Sequence, residues 1–200
     1  MADFFSKLIT GNVPLWVQIF GFVCILASST IYLHKDHRSM LYTKMATDTA
    51  WLLYHIFTFI ATGGSLPAAA ITVVAIFRSF VFINRDTKKW ASGRWWLFVF
   101  MAISVATTSI TWLIEGGFNP FSLLTLSGSI ISIFSFYQPS ARVSRMLSFV
   151  IGGFMISYYI INYIRTGGAS AASILNEIIN FIVTFVSVFK YDIFKKGKSE

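Results

Sequence analysis

The chain of 200 residues is 56% hydrophobic and 18% aromatic, and only 12% of its residues are charged. Soluble domains carry about 25% charged residues, so this composition and a mean hydropathy of +0.69 indicate a protein surrounded mostly by lipid. The apolar content excludes a disordered chain. The single cysteine, Cys24, excludes an internal disulfide framework, and the three histidines have no metal-ligand spacing. We therefore expect neither a metal nor a cofactor.

Seven apolar segments are each long enough to cross a bilayer as a helix of roughly 20 residues. The alternating pattern of barrel strands is absent. The sequence therefore predicts an all-α membrane protein with seven transmembrane helices, the first of which is retained rather than cleaved as a signal peptide. The predicted bounds, from the N-terminus onwards, are Pro14–Tyr32, Leu41–Thr62, Ser65–Ile83, Trp95–Ile114, Phe121–Tyr137, Val143–Ile164 and Ser170–Phe189.

Basic residues are divided unevenly between the two sides of the predicted spans. Two of the sixteen Lys and Arg residues, Lys7 and Arg165, belong to one side, and the other fourteen belong to the loops and tail of the opposite side. Basic residues near span ends stay in the cytoplasm, which predicts an external N-terminus and a cytoplasmic C-terminus. The net charge of +8 then reflects membrane topology. The tail from Lys190 to Lys198 is expected to contact anionic lipid and not nucleic acid.

Helices 5 to 7 repeat the pattern of helices 1 to 3. The segment IATGG at 60–64 matches IRTGG at 164–168 with an offset of 104, and Tyr54 matches Tyr158 with the same offset. In both halves the glycine pair follows the second helix, where it is expected to end the helix and turn the chain. The match indicates an internal repeat.

The repeat predicts how the chain is organised. A first triple-helix bundle occupies residues 1–90, linker helix 4 occupies 91–118, and a second triple-helix bundle with the basic tail occupies 119–200. Because an even number of helices separates the two starting points, the bundles are parallel. Parallel repeats around an axis along the membrane normal are a transporter design, with the solute site near the bilayer midplane. Helix 4, as a linker, is expected to contribute little to that pathway.

Helices 2 and 3 carry ionisable and aromatic side chains at bilayer depth. Asp48, Trp51 and His55 lie on one helical face, with Tyr54 on its flank. A charged side chain inside a span costs about 2.5 to 3.5 kcal/mol on insertion scales, so such groups should face the protein interior. Trp51 and Tyr54 either stack a solute or pack the core. Asp48, His55 and Arg78 are candidates for coupling or gating, although Asp48 and Arg78 could instead reach the cytoplasmic surface, which we prefer for Arg78 at rest.

Helices 6 and 7 supply the second group of candidate residues. Asn176 and Asn180 are four residues apart and share a helical face, where their amides either bind a polar solute or join neighbouring helices. Glu177 lies in the same turn and is a candidate for proton coupling. Tyr158, the repeat partner of Tyr54, is a candidate for stacking on the solute.

The three-plus-one-plus-three plan resembles the SWEET sugar transporters and the PnuC vitamin transporters, a PQ-loop-like group. The chain is more specifically similar to YgjV-type bacterial inner-membrane proteins, through residues 51–54 (WLLY), 62–64 (TGG) and 77–82 (FRSFVF). This resemblance implies a multi-pass inner-membrane protein whose two bundles move a small solute by alternating access. It does not extend to the proline hinge of related bundles, since Pro14 lies at the edge of helix 1.

The expected function is therefore transport of a small polar solute, of vitamin or nucleoside type, by a protein that is not an enzyme and that can form homo-oligomers. A rival interpretation is a membrane subunit or sensor that binds partners through small-residue stripes such as Ala27-Ser28-Ser29 and Ala68-Ala69-Ala70. A third is an intramembrane hydrolase using Ser127 or Ser129, which requires a hydroxyl within hydrogen-bond reach of His55.

Overall fold

A computed structural model describes residues 14–62, 66–114, 117–166 and 171–193. Their regular structure is entirely helical, which confirms the predicted all-α fold. A 3₁₀ turn, Thr30–Leu33, follows α1, and a π turn, Phe189–Ile193, follows α7. The glycine pairs at 63–64 and 167–168 and the end of the basic tail lie outside the described residues. The α-helices are α1 Leu15–Ser29, α2 His37–Thr62, α3 Leu66–Asn84, α4 Trp95–Ile114, α5 Ser122–Tyr137, α6 Ala141–Thr166 and α7 Ala171–Val188.

Three helical stretches are long and apolar enough to cross a membrane: Leu15–Leu33, Ala141–Ile161 and Ile174–Ile193. Shorter apolar stretches occur in α3, α4 and α5. Large apolar side chains also cover the outside of the helices, and Phe98 and Leu113 are 69% and 82% exposed. An apolar outer surface of this extent is unfavourable in water. Together these features indicate an integral membrane protein.

The start of α2 differs from the prediction by four residues. The predicted start is Leu41, whereas the helix begins at His37. The carboxylate of Asp36 accepts a hydrogen bond from the backbone N–H of Ser39 at 2.8 Å, which satisfies one of the free donors of the first turn. This hydrogen bond lowers the pKa of Asp36. A helix cap therefore accompanies the four polar and apolar residues that begin α2 before Leu41, of which Met40 is fully buried.

The helices pack in a regular order. Helix α2 packs against α1 and α3, and α6 packs against α5 and α7, while α4 packs against α5. Contacts between the two groups involve α1 with α7, α2 with α6, and α3 with α5. The aromatic cluster of Phe82, Phe100 and Tyr137 joins α3, α4 and α5, with ring centroids 5.5 to 5.6 Å apart.

Gly21 allows α1 to lie close to α2. A Cβ atom at this position would lie 2.8 Å from Cε2 of Tyr54. We expect Gly21→Leu to push the helices apart and to lower the free energy of unfolding by about 1 to 3 kcal/mol. Gly153→Leu on α6 is the control, since a Cβ there meets nothing within 4 Å and gains the same helix propensity. Equal melting temperatures of the two variants in detergent would contradict this close packing.

Candidate functional site

A cavity of about 500 Å³ lies at the centre of the protein and is lined by side chains from all seven helices. Side chains in a membrane protein that are both polar and within a span are expected to face such an interior. The structure agrees for six of the nine candidate residues. These six line the cavity: Asp48, Trp51, Arg78, Asn176, Glu177 and Asn180.

The other three candidates, Tyr54, His55 and Tyr158, are absent from the cavity wall. Tyr54 is directed at Gly21 of α1 and contacts the rings of Trp51 and His55, with centroids 5.3 and 5.6 Å away. Tyr158 packs against the neighbouring ring of Tyr159 at 5.4 Å. In this arrangement a solute in the cavity therefore does not stack directly on Tyr54 or Tyr158.

Trp51 is fixed in the cavity wall. Its indole Nε1–H donates a hydrogen bond to the hydroxyl of Ser28 on α1 at 2.7 Å. Ser28 in turn donates to the carbonyl of Cys24 at 2.8 Å. With its polar atom already bonded, Trp51 offers a positioned apolar ring surface to the cavity.

Asp48 faces the cavity and not the cytoplasmic surface. It is 8% exposed, which overturns the surface alternative. Its Oδ1 accepts a hydrogen bond from Nζ of Lys44 at 2.7 Å, one turn earlier in α2. Its other oxygen, Oδ2, is buried and has no hydrogen-bond partner among the described residues. The Lys44–Asp48 pair is thus part of the cavity wall and keeps one acceptor unpaired.

Arg78 also faces the cavity, so the preferred expectation that it reaches the inner head groups is wrong. Its buried Nε has no hydrogen-bond partner, and within the described ranges no carboxylate lies within ion-pair distance. Asp48 and Tyr32 are close enough to act on it electrostatically. A buried guanidinium without a bonded counter-ion is costly. Arg78 is therefore a site where an anion would be stabilised.

The α7 face brings two amides and a carboxylate into the cavity. Nδ2 of Asn176 donates to Oε1 of Glu177 at 3.4 Å. The buried Oδ1 atoms of Asn176 and Asn180 have no hydrogen-bond partner in the part of the chain that the structure describes. Buried amide oxygens normally have a partner. These two acceptors are consequently available to a polar molecule in the cavity.

Tyr32 is not among the site residues predicted from the sequence, where it ends the predicted helix 1. Its hydroxyl lies near Ser148 of α6, and Asp48, Arg78 and Glu177 are close enough to act on it electrostatically. Its ring stacks on Phe136 of α5, with centroids 6.4 Å apart. The 3₁₀ turn after α1 places Tyr32 in the cavity, which a uniform helix prediction cannot show.

Helix α4 contributes to the cavity more than a linker was expected to. Phe100, Ile103, Ser104, Thr107 and Thr108 all line it. Two of its hydroxyls bond to their own helix, because Thr107 and Thr108 donate to the Ser104 carbonyl at 3.0 and 2.9 Å. The prediction of a minor role for α4 in the cavity wall is therefore wrong.

Two arginine clamps hold the ends of helices together at one end of the protein. Arg145 of α6 donates to both oxygens of Asp192, at 2.9 and 2.7 Å, and to the carbonyl of His34 at 2.9 Å. Arg85, after α3, donates to the carbonyl of Tyr137 at the end of α5. Each clamp thus joins the first three helices to the last three. The sequence offered no signal for either clamp.

The two clamps differ in burial. The side chains of Arg145 and Asp192 are 3% and 6% exposed, whereas Asp86, the carboxylate beside Arg85, is 74% exposed. The hydrogen bond from Arg85 lowers the pKa of Asp86. Of these two ion pairs, only Arg145–Asp192 is therefore shielded from solvent on both sides, and only it should have a large electrostatic effect.

Arrangements required by other chemistries were not found. Within the described residues, no group of three His, Cys, Asp or Glu side chains could hold a metal ion. His55 contacts the rings of Trp51 and Tyr54, and no hydrogen bond to a hydroxyl is found for it in the described ranges. Ser129 lines the cavity whereas His55 does not. The hydroxyl–imidazole pair of the hydrolase interpretation is thus not formed by these residues.

Comparison with protein-family models, with curated proteins and with solved structures found no match to this chain.

Proposed function

We propose that the protein is a seven-span transporter of a small polar solute that works by alternating access between two parallel triple-helix bundles, as the resemblance to SWEET, PnuC and YgjV-type proteins implies. The observation that carries this proposal is the central cavity. All seven helices line it, and four buried polar atoms in its wall lack hydrogen-bond partners within the described ranges: Asp48 Oδ2, Arg78 Nε, Asn176 Oδ1 and Asn180 Oδ1. A solute that pairs these atoms would be bound by them.

The positions that line the cavity support an internal repeat. Helices α2 and α6 are both 26 residues long and start 104 residues apart. Their cavity-lining residues recur with the same offset of 104. In α2 these are Lys44, Thr47, Asp48 and Trp51, and in α6 they are Ser148, Ile151, Gly152 and Met155.

The contacts between the bundles also support a two-fold relation. A two-fold axis along the membrane normal would interchange the two triplets. It would convert the α1–α7 contact into the α5–α3 contact and leave the α2–α6 contact unchanged. All three pairs of helices are in contact. The proposed division remains 1–90, 91–118 and 119–200. Both bundles would then close around the solute from opposite sides.

The clamps indicate which end of the cavity is closed. By the distribution of basic residues, the loops after α1, α3 and α5 are cytoplasmic. Arg145 and Arg85 join the two bundles there, and Tyr32 stacks on Phe136 in the cavity wall. In this proposal the conformation described is closed on the cytoplasmic side, and opening requires both clamps to separate.

A non-transporting membrane subunit or sensor is the rival function. It requires a small-residue stripe on the lipid-facing surface. Of the stripe Ala27-Ser28-Ser29, the two serines are buried at 6% and 9% exposure and are directed away from lipid. Ala68 belongs to the residues whose side chains the structure does not describe. The stripe at residues 27–29 therefore does not favour this rival.

Uptake into proteoliposomes tests the proposal. We expect uptake of at least one solute from a mixture of labelled L-amino acids, glucose, thymidine and thiamine. Asn180→Leu, which removes an amide from the cavity, should abolish this uptake. Ile182→Leu is the matched control, since Ile182 is 55% exposed on the same helix, and it should transport normally. Absence of uptake, or equal uptake by both variants, would contradict the proposal.

A further inference from the structure

We infer that the solute is a small zwitterion of the amino-acid type, whose carboxylate binds Arg78 and whose primary ammonium binds the α7 face formed by Asn176, Glu177 and Asn180. This inference rests on the proposed function, because it assigns a chemical class to the solute of the same cavity.

Arg78 determines the anionic end of the ligand. It is the cavity's one buried unpaired donor among the described residues, and it has no carboxylate within ion-pair distance there. The nearby carboxylate of Asp48 is already bonded to Lys44 at 2.7 Å. A guanidinium binds a carboxylate through two parallel hydrogen bonds. A ligand carboxylate would therefore give Arg78 the counter-ion that the protein does not provide.

The hydroxyl groups of the cavity determine what the rest of the ligand must offer. Ser28, Thr108 and Thr184 line the cavity, and each donates its proton to a carbonyl of its own helix at 2.7 to 2.9 Å. Their donors are thus used. The oxygens of Thr108 and Thr184 can still accept, and that of Ser28, which accepts from Trp51, keeps one lone pair. These three hydroxyls therefore offer acceptors, and not donors, to a ligand.

The amide oxygens of α7 add two further acceptors to the cavity wall. Oδ1 of Asn176 and Oδ1 of Asn180 are buried and unpaired within the described ranges, and the two residues share one helical face with Glu177 in the same turn. A primary ammonium has three N–H donors and one positive charge. It can therefore bond both amide oxygens and pair with the Glu177 carboxylate.

Other ligand classes fit this wall less well. A neutral polyol would leave the charge of Arg78 without a counter-ion, and a simple carboxylate would leave the α7 acceptors unpaired. A quaternary ammonium has no N–H group to donate. A small zwitterion with a primary ammonium pairs with both Arg78 and the acceptors of the α7 face. The head group of phosphatidylserine has the same chemistry, so the experiment must separate lipid from free solute.

Thermal stabilisation of the purified protein, in detergent with phosphatidylcholine, tests the inference. The twenty standard L-amino acids are screened first, and the strongest ligand is then compared with its desamino acid and its decarboxylated amine. We expect the complete amino acid to bind at least about tenfold more tightly than either fragment. In Arg78→Gln the amino acid should bind no better than the amine, and in Asn180→Leu no better than the desamino acid. Ile182→Leu should resemble the wild type.

Three results would overturn the inference. One is that no amino acid raises the melting temperature, and another is that phosphatidylserine does so while free amino acids do not. The third is uptake of glucose, thymidine or thiamine that Arg78→Gln leaves unchanged, which would preserve the transport proposal and exclude a zwitterion. Failure of the transport proposal can be distinguished from failure of this inference. If only the transport proposal failed, amino acids would bind to the protein but would not be taken up.

Discussion

Asp192→Ala is expected to lower the free energy of unfolding by about 3 to 5 kcal/mol, because it leaves a buried guanidinium without its carboxylate. Arg145 is 3% exposed at its side chain, and Asp192 accepts two of its hydrogen bonds. The remaining bond to the His34 carbonyl does not neutralise the charge. The melting temperature in detergent micelles measures the loss.

The chain provides a matched control for this variant. Asp86 pairs with Arg85 at 2.8 Å, but its side chain is 74% exposed, so Asp86→Ala should cost about 0 to 1 kcal/mol. The double variant Arg145→Met/Asp192→Leu should regain most of the loss, since an apolar pair of similar volume replaces both charges. Equal melting temperatures of Asp192→Ala and Asp86→Ala would contradict a buried clamp at this end of the protein.

Arg78→Met is expected to act in the opposite direction and to raise the free energy of unfolding by about 1 to 4 kcal/mol. The substitution removes a buried charge that has no hydrogen bond to a described residue and keeps a side chain of similar length. The same variant should lose solute binding, because the cavity then lacks its unpaired cation. We therefore expect Arg78 to decrease stability while it contributes to function.

Arg85→Met is the control, because it shows whether removing any arginine raises the stability of the protein. Arg85 donates to the Tyr137 carbonyl and to Asp86, so its loss should lower the melting temperature. If Arg78→Met also lowered the melting temperature, the guanidinium of Arg78 would have a stabilising partner, and its role as an anion site would be wrong.

The positions of the helices could be predicted because apolar stretches alternate with charged or glycine-containing segments. The start of α2 could not be found in this way, since Asp36 caps a polar first turn. Placement of Asn176 and Asn180 at the cavity followed from the cost of exposing such groups to lipid. For Asp48 and Arg78 the same cost also allowed a position at the cytoplasmic surface, so the sequence did not decide between the two. That cost does not apply to Tyr54. Its ring packs against Gly21, where the absence of a side chain leaves room for it.

Features formed by tertiary structure were not predictable. Arg145 and Asp192 are 47 residues apart, and the π turn Phe189–Ile193 contains Asp192. Tyr32 lies in a 3₁₀ turn, which the hydropathy pattern continues as an ordinary helix. In each case a short turn of a different helix type follows a long apolar helix. The side chain in that turn has a position that the hydrophobic periodicity does not predict.

Accessibility of the cavity from both sides of the membrane tests the central claim most directly. Cys24 is the single cysteine and is fully buried, so Cys24→Ala provides a background for Asn180→Cys. A membrane-impermeant thiol reagent is applied to right-side-out and inverted vesicles, with Ile182→Cys as the lipid-facing control. Alternating access predicts that position 180 is labelled from either side and position 182 from neither. Labelling of position 180 from one side only, or from neither, would contradict transport through this cavity.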